Sequence, residues 1–531
     1  MAQILVSDLT FCYDGSFDNI FENVSFVVDT DWKLGFLGRN GKGKSTFLAL
    51  LQGKYEYQGA ISASTAFDYF PYKIPDFRMG ECVSAFLDEL KSGCEEWRVL
   101  REMDTLGAEA ELLYRPFQSL SFGERTKVLL AILFSGENDF PLIDEPTNHL
   151  DMETRETVKR YLRGKKGFIL VSHDRDLLDA CVDHVLVLNR KTIEVQAGNF
   201  STWWENKKRK DSFAQAENEK HLREIDSLKK AADRTRRWAD KNENTKIGFD
   251  PVKEPDRCKD TRAFIGAKTK KAQARVLAYE KRIGREIEEK EGLLQDIENP
   301  AALKLYPLTY HKERLLYAKN LELSYEGRDE PVLSGFSFEL GRGERVLLQG
   351  VNGSGKSTLI HAILSEIVKK FGEQDPRAGK AALRGIDFPE SDYDCGADII
   401  KHGELMTGAG LTVSYVNQDT SFLCGGLRDF CRERGLDESL FCALLRQLDM
   451  ERAQFSKSME DFSEGQKKKV LIAASLLTPA HLYIWDEPLN YIDVFSRMQI
   501  EEMILRYEPT MLLVEHDVRF GERIATRTVR L

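Results

Sequence analysis

The chain has 531 residues, 42% of them hydrophobic, and a formal net charge of −10. That length is too great for one core, and the apolar content is enough for more than one. The acidic balance argues against nucleic-acid binding through bulk charge, no apolar run approaches the ~18–20 residues that span a bilayer, and nine cysteines without a C-x-x-C pair argue against zinc and iron–sulfur centres.

The scattered cysteines fit reduced thiols in a cytosolic protein. Met1 leads straight into the strand-like ILVSDLTFCY, so no signal peptide is expected. Residues 1–30 read as short alternating strands, ILVSDLTFCY and IFENVSFVV. Next comes KLGFLGRNGKGKST, a strand followed by Gly38-x-x-x-x-Gly43-Lys44-Ser45 and the helical FLALLQ. Strand, glycine-rich loop and helix in that order form a phosphate-binding loop. Gly38, Asn40, Gly41 and Gly43 let backbone N–H groups converge on phosphate oxygens. Lys44 brings charge to the β and γ phosphates, and Ser45, with Thr46 beside it, offers a hydroxyl to Mg²⁺. Further on stand LSFGER at Ser121, PLIDEPTNHLD with Asp144 and Glu145, and VSHD with His173.

Residues 203–311 are charged almost throughout. Leu222, Ile225, Leu228 and Ala232 going out, and Val276, Tyr279, Ile283, Ile287, Leu294 and Ile297 coming back, recur at helical steps. That pattern predicts two long antiparallel amphipathic helices. At ~1.5 Å per residue, helices of roughly 30–40 residues reach about 45–60 Å. Between Lys229 and Arg285 there are 18 Lys and Arg against 8 Asp and Glu, so this segment is near +10 and the remainder near −20. The tip, around 242–266, brings Lys246, Lys253 and Arg262 together with Phe249 and Phe264, and Lys268 follows. Basic groups neutralise phosphates and aromatic rings stack on bases, so the tip is a candidate RNA contact. A solvated charged hairpin is the plainer alternative.

The earlier motifs then return. RVLLQGVNGSGKST carries Gly350, Asn352, Gly353, Gly355, Lys356, Ser357 and Thr358. FSEGQK carries Ser463, LYIWDEPLNYID carries Asp486 and Glu487, and VEHD carries His516. Lys44 to Lys356 is a lag of 312, Ser121 to Ser463 and Asp144 to Asp486 are each 342, and His173 to His516 is 343. Four motifs in one order identify a domain duplication. The lag grows by 30, which places an insertion around 369–406, expected to be a surface loop. Tyr13 and Tyr325 precede the two loops on strands and are candidates for stacking on adenine, with plain packing as the alternative.

Phosphate loop, serine-led signature, Asp-Glu strand end and switch histidine in this order resemble the ATP-binding cassette ATPases. Two cassettes joined by a charged hairpin of this length resemble family F of that group, which acts on ribosomes. EPTNHLD and AFIGAKTKKAQ are the most specific marks. The long tip, EPLNYID with VEHD, and the short spacing from Tyr72 to Ser121 and from Gln418 to Ser463 are similar to the bacterial antibiotic-resistance subgroup. The resemblance implies an α/β fold with two tandem ABC-type nucleotide-binding domains, at 1–202 and 312–531, joined by a long antiparallel α-helical hairpin linker at 203–311.

It also implies two composite sites for ATP and Mg²⁺. Lys44 and Ser45 would work with Ser463, Gly465 and Gln466, and Lys356 and Ser357 with Ser121, Gly123 and Glu124. Asp144, Asp486 and Gln418 would hold Mg²⁺ together with the loop serines. Glu145 and Glu487 would be general bases, and His173 and His516 would stabilise the γ-phosphate. The implied partner is the bacterial 70S ribosome, through 23S rRNA and the P-site tRNA. The protein would enter the tRNA exit site in its ATP-bound state and displace a bound antibiotic through the tip. No DNA and no stable membrane partner are expected, and the location is cytoplasmic. A general translation factor rescuing stalled ribosomes, and the ATPase subunit of an exporter, remain as alternatives. The chain departs from the family where Phe122 and Glu464 replace the first signature glycine, and where Tyr72 stands in place of glutamine. A phenol cannot reproduce a carboxamide carbonyl at Mg²⁺, so the first site is expected to differ in rate.

Overall fold

The computed structural model describes residues 2–13, 19–148, 150–189, 192–244, 274, 278–279, 281–285, 303–325, 330–351, 353–372 and 399–531. The tip residues Lys246, Phe249, Lys253, Arg262, Phe264 and Lys268, together with Asn352, lie outside them. Residues 1–203 and 301–531 form one unit, and residues 204–300 form another.

The first cassette opens with β1 (Gln3–Phe11), β2 (Phe21–Asp29) and β3 (Lys33–Leu37). β1 alternates buried and exposed residues and is the middle strand of a small antiparallel sheet, β2-β1-β4, with β4 at Gln58–Ser62. One face of such a sheet meets the core, and period-two patterning follows. β3 is different. Its KLGFL is buried almost throughout, because it sits inside a six-stranded sheet of order β5-β6-β7-β3-β8-β9. The other strands are β5 (Ala66–Phe70), β6 (Asp139–Asp144), β7 (Phe168–Val171), β8 (His184–Leu188) and β9 (Ile193–Ala197). Their helices are α1 (Lys44–Leu51), α2 (Val83–Leu90), α3 (Glu96–Thr105), α4 (Phe122–Leu133), α5 (Met152–Gly164) and α6 (Arg175–Cys181). Parallel strands covered on both faces read as continuous apolar runs, as in FILV and HVLVL.

The second cassette repeats the plan. β10 (Arg314–Tyr325) pairs with β11 (Leu333–Gly341) and β13 (Ile399–Thr407). The parallel sheet runs β14-β15-β16-β12-β17, with β12 at Arg345–Gln349, β14 at Val413–Val416, β15 at Leu482–Asp486, β16 at Met511–Val514 and β17 at Arg527–Arg530. Between the cassettes, α7 runs from Phe200 to Asn244. Within the 204–300 unit, Ile225 and Ile283 of the apolar stripe are buried, while Leu222 and Tyr279 are exposed. The second cassette's helices are α8 (Lys356–Gly372), α9 (Leu427–Arg434), α10 (Glu438–Gln447), α11 (Glu464–Leu477), α12 (Val494–Tyr507) and α13 (Val518–Ile524).

The insertion is not a loop from end to end. α8 has 17 residues against 8 in α1, and β13 has 9 against 5 in β4. Residues 369–372 therefore finish a helix, and 399–406 belong to a strand paired along β10 from Tyr325↔Ile399 to Leu316↔Thr407. Backbone groups there find partners in a ladder, which a solvated loop would not give them. Residues 373–398 lie outside the described residues.

The two cassettes face each other within one unit. Arg175 donates to the buried Glu501 carboxylate at 2.9 Å, and Arg519 pairs with Asp176 at 2.5 Å and Asp179 at 2.6 Å. These contacts tie α6 of the first cassette to α12 and α13 of the second. No described helix is long and apolar enough to cross a membrane.

Candidate nucleotide sites

Each phosphate loop lies between a central strand and a helix N-terminus, where unpaired N–H groups favour an anion. Lys44 Nζ donates to the carbonyls of Gly38 at 2.6 Å and Arg39 at 3.2 Å, and to Asn40 Oδ1 at 3.2 Å. Lys356 Nζ donates likewise to Gly350 at 2.8 Å and Val351 at 2.9 Å. The lysines curl over their own loops, and burial lowers both ammonium groups below the ordinary lysine range. At Gly43 a side chain would be strained for two reasons. Its φ is +109°, and an added Cβ would lie 2.6 Å from Ile20.

The serines and aspartates meet as the motif requires. Ser45 Oγ donates to Asp144 Oδ2 at 3.1 Å, and Ser357 Oγ to Asp486 Oδ2 at 3.1 Å. Asp144 and Asp486 are the last residues of β6 and β15, where the sheet delivers them to the loops. Asp486 Oδ1 is buried without a hydrogen-bond partner. Among the described residues no group of three His, Cys, Asp or Glu could hold a metal. A serine hydroxyl and one carboxylate with a free oxygen suit Mg²⁺, which keeps waters and takes its remaining ligands from phosphate. The residues present therefore fit that ion.

Glu145 and Glu487 have positive φ values, 50° and 46°, a strained conformation for a residue with a Cβ. Each is held there by its own N–H, which donates at 2.9 Å to the carbonyl of Val171 or Val514 on the neighbouring strand. His173 Nε2 lies 3.3 Å from Glu145 Oε1, and His516 Nε2 lies 3.2 Å from Glu487 Oε1. The donors around the two glutamates differ. Glu487 Oε2 also accepts from Gln418 Nε2 at 2.8 Å and Asn490 Nδ2 at 2.7 Å. Asn490 was not singled out in the sequence, although it stands in the EPLN run beside the acid pair.

Protonation follows the donors. Burial, with the Asp144 charge added, pushes Glu145 up to about 8. Burial pushes Glu487 up too, but the hydrogen bond and charge of His516, with Lys468 and Asn490, outweigh it and leave the carboxyl below its ordinary value. Burial and the neighbouring Glu487 raise Asp486 to about 6. Burial, then the charges of Lys44 and Arg497, hold the His173 imidazole well below its ordinary value.

The signature turns owe their shape to helix capping. Ser121 Oγ accepts from the Glu124 N–H, and Glu124 Oε2 accepts from the Ser121 N–H at 2.7 Å. Ser463 and Gln466 make the same reciprocal pair. S-x-x-E and S-x-x-Q are capping boxes, a pattern visible in LSFGER and FSEGQK. The side chains of Glu124 and Gln466 are thus committed to starting α4 and α11.

The opposing motifs are not equally close. Asn40, Gly41, Ser463, Gly465, Gln466 and Lys469 line a cleft of about 70 Å³. Asn40 Nδ2 donates across it to the Tyr491 carbonyl at 2.7 Å, and a Cβ on Gly465 would lie 2.7 Å from that same oxygen. Arg39–Asp449 at 3.1 Å and Lys42–Glu451 at 2.8 Å clamp the rim. The other cavity is about 980 Å³ and gathers Tyr325, Gly353, Gly355, Lys356, Ser357, Thr358, Gln418, Glu487, Asn490 and His516. From the first cassette it receives Phe122, 62% exposed, and Arg155. Ser121, Gly123 and Glu124 adjoin Phe122 but do not line this cavity. Tyr325 ends β10, whereas Tyr13 lies two residues beyond β1. Their hydroxyls sit 3.0 Å from Thr358 Oγ1 and 2.8 Å from Thr46 Oγ1.

Strand register puts Tyr72 at the place of Gln418. Tyr69 faces Leu142 and Tyr415 faces Ile484, each two residues before the strand-end aspartate. Tyr72 donates its hydroxyl to Asp68 Oδ2 at 2.6 Å and does not reach the acid pair.

A family model described as ABC transporter matches residues 21–148 and 333–490. The chain is 26% identical over 524 residues to the ribosome protection protein VmlR of Bacillus subtilis (strain 168), an alignment covering 96% of this chain and 84% of that protein. It is 24% identical to the probable ATP-binding protein YheS of Escherichia coli (strain K12), over 94% of this chain and 74% of the relative. It is 23% identical to the ATP-binding protein Uup of Caulobacter vibrioides, over 96% and 74%. In fold it is similar to an archaeal ribosome recycling factor, aABCE1, solved with the stalk protein aP1. The TM-score is 0.56 at 18% identity, over 98% of this chain and 87% of that one.

The unlike glutamates should show in thermal unfolding without nucleotide. A carboxyl raised from 4.5 to about 8 on folding, as at Glu145, contributes stability below pH 4.5 that is lost as pH rises through 8. Glu487 is lowered on folding, so its contribution is present above the ordinary value and lost in acid. Relative to the parent, Glu145→Gln should therefore gain roughly 2–4 °C in Tm between pH 5 and 8.5. Glu487→Gln should be less stable than the parent at neutral pH and approach it at low pH. Scanning fluorimetry across that range would contradict the assignment if both variants tracked the parent.

Proposed function

Because the chain belongs to the ABC transporter family of ATPases, with relatives in its family F, we propose that it is a ribosome-bound ATPase that protects the ribosome from an antibiotic. The observation that carries this reading is the alignment with a ribosome protection protein over 96% of the chain. Two cassettes facing each other in one unit, with an acid pair and a histidine in each, supply the motor.

In the second site, Lys356 and the loop N–H groups take the β and γ phosphates. Ser357, Asp486 and Gln418 would hold Mg²⁺, and Ser45 with Asp144 would do so in the first site. When bound, that ion screens phosphate charge and polarises the γ-phosphoryl group. Glu487, ionised and oriented by Gln418, Asn490 and His516, accepts a proton from the attacking water. The water oxygen bonds to the γ phosphorus and the bond to the β-bridging oxygen breaks, leaving ADP and phosphate. His516 then stabilises charge on the departing phosphate. Opposed signatures close on bound ATP, because their helix N-termini bring donors to the γ-phosphate. The first site is already narrow; closure of the second must bring Ser121 and Gly123 forward with Phe122.

The closed form would enter the tRNA exit site of the bacterial 70S ribosome. There the basic tip of the hairpin would contact 23S rRNA and the P-site tRNA and dislodge the drug, and hydrolysis would release the protein. Changing Glu145 and Glu487 together to Gln removes the bases but keeps the charge cradle. The double variant should lose most ATP turnover and sediment with ribosomes in ATP. Sedimentation free of ribosomes with ATP present would overturn the proposal.

The tip should be separable from the motor. Replacing 242–266 by a short Gly-Ser turn should leave ATPase activity within a few-fold and abolish resistance in a susceptible host. Phe249→Leu keeps apolar volume but removes the flat ring. It should reduce resistance more than ribosome binding. Full resistance in that variant would reduce Phe249 to packing.

A further inference from the structure

The two acid pairs are approached from the neighbouring strand by different side chains. In the second cassette the approach is from Gln418, whose amide reaches Glu487. In the first, Tyr72 is anchored elsewhere, since its acceptor Asp68 is itself paired with Lys91 at 2.9 Å. The hydroxyl that arrives belongs to Tyr69, three residues earlier. It donates to Asp144 Oδ2 at 3.1 Å, the same oxygen that accepts from Ser45. Tyr415, its counterpart in register, instead donates to Asn417 Oδ1 at 3.3 Å. The Tyr69 ring is fixed by β5, which pairs with β6 from Ala66 to Phe70, and by Lys54 Nζ at 5.4 Å from the ring centre.

We propose that Tyr69 is a positioning residue of the first ATP site, orienting the Asp144 carboxylate toward Mg²⁺ where Tyr72 cannot act as the glutamine does. This rests on the reading of the Lys44 loop as an ATP site. With Ser45 and Tyr69 both donating to Oδ2, that oxygen is engaged and Oδ1 of Asp144 is the one that would face Mg²⁺ or its water. A phenol does this as a neutral donor with one hydrogen to give, so it orients the carboxylate without replacing it as a ligand. Partners behind a metal ligand typically govern 10–100-fold in metal affinity. Among the described residues Asp486 accepts from Ser357 but from no tyrosine, and its Oδ1 is without a partner; there Gln418 takes the place beside the acid pair.

The test reads metal binding directly. Full-length protein carrying Lys356→Ala, to silence the second site, is loaded with a non-hydrolysable ATP analogue and titrated with Mn²⁺ by electron paramagnetic resonance. The signal lost on adding Lys44→Ala defines the first site. Tyr69→Phe should weaken Mn²⁺ at that site about 10-fold. It should leave analogue affinity in EDTA unchanged, because the phosphate loop is intact. Tyr72→Phe and Tyr415→Phe should bind Mn²⁺ like the parent. Mn²⁺ affinity within twofold of the parent in Tyr69→Phe, equal weakening by Tyr72→Phe, or a parallel loss of analogue in EDTA would each overturn the positioning role. Absence of any Lys44-dependent Mn²⁺ signal in the parent would instead overturn the ATP-site reading beneath it.

Discussion

Two adjacent carboxylates stand largely desolvated at the end of a strand in each cassette, and the donors around them decide which keeps its charge. Asp486 and Glu487 are both buried, and burial first, then the neighbouring Glu487 charge, pushes Asp486 toward its neutral form. The second cassette assigns the roles with donors. Glu487 receives His516, Gln418 and Asn490 and keeps its charge, while Asp486 moves up. In the first cassette burial moves both carboxyls up: Asp144, although Ser45 and Tyr69 donate to it, and Glu145, left with its histidine, to about 8. One duplicated motif thus carries two different protonation patterns.

The backbone makes these assignments rigid. Both glutamates sit in a left-handed conformation that the adjacent strand holds by a single N–H bond. The same sheet edge fixes the loop serines against the aspartates at equal distances in the two copies. Differences between the sites therefore come from side chains: Tyr69 and Tyr72 against Tyr415 and Gln418, Phe122 against Glu464 within the signatures, and Asn490, which donates to Glu487 from the EPLN run. Glu464 is drawn back onto its own cassette by Thr420, which donates to it at 2.6 Å. Phe122 projects into the larger cavity. The Asn40 turn and the Ser463 signature meet across a cleft of about 70 Å³, whereas the cavity over the Lys356 loop, which Phe122 enters, is about 980 Å³.

What the sequence made legible was local. Strand, glycine loop and helix are contiguous in the chain, so the phosphate loops could be placed from their spacing alone. So could the strand-end acid pairs, which follow short apolar runs. The capping boxes are also legible, as Ser121-x-x-Glu124 and Ser463-x-x-Gln466, a structural use of residues to which the resemblance gives a nucleotide role. The change in lag locates the insertion but not its ends. Helix α8 and strand β13 extend into it, and only the pairing partner on β10 reveals that. Tyr69 was out of reach. Alignment of the repeats pointed to Tyr72, and the choice between two tyrosines three residues apart depends on where Asp68 and Lys91 stand. The unequal closure of the sites is likewise tertiary, set by Asn40 meeting Tyr491 across some 450 residues of chain.

The central claim is that the two ATP sites are chemically unlike before nucleotide arrives. It is tested most directly by the pH dependence of kcat/KM for ATP in the two single glutamine variants, since that ratio reports groups in the free enzyme. Glu487→Gln leaves only the first site, and its profile should climb toward pH 8 as Glu145 loses its proton. Glu145→Gln leaves only the second, and its profile should be level from pH 7 to 8, with Glu487 already ionised and Asp486, at about 6, largely so. Superimposable profiles would contradict the account.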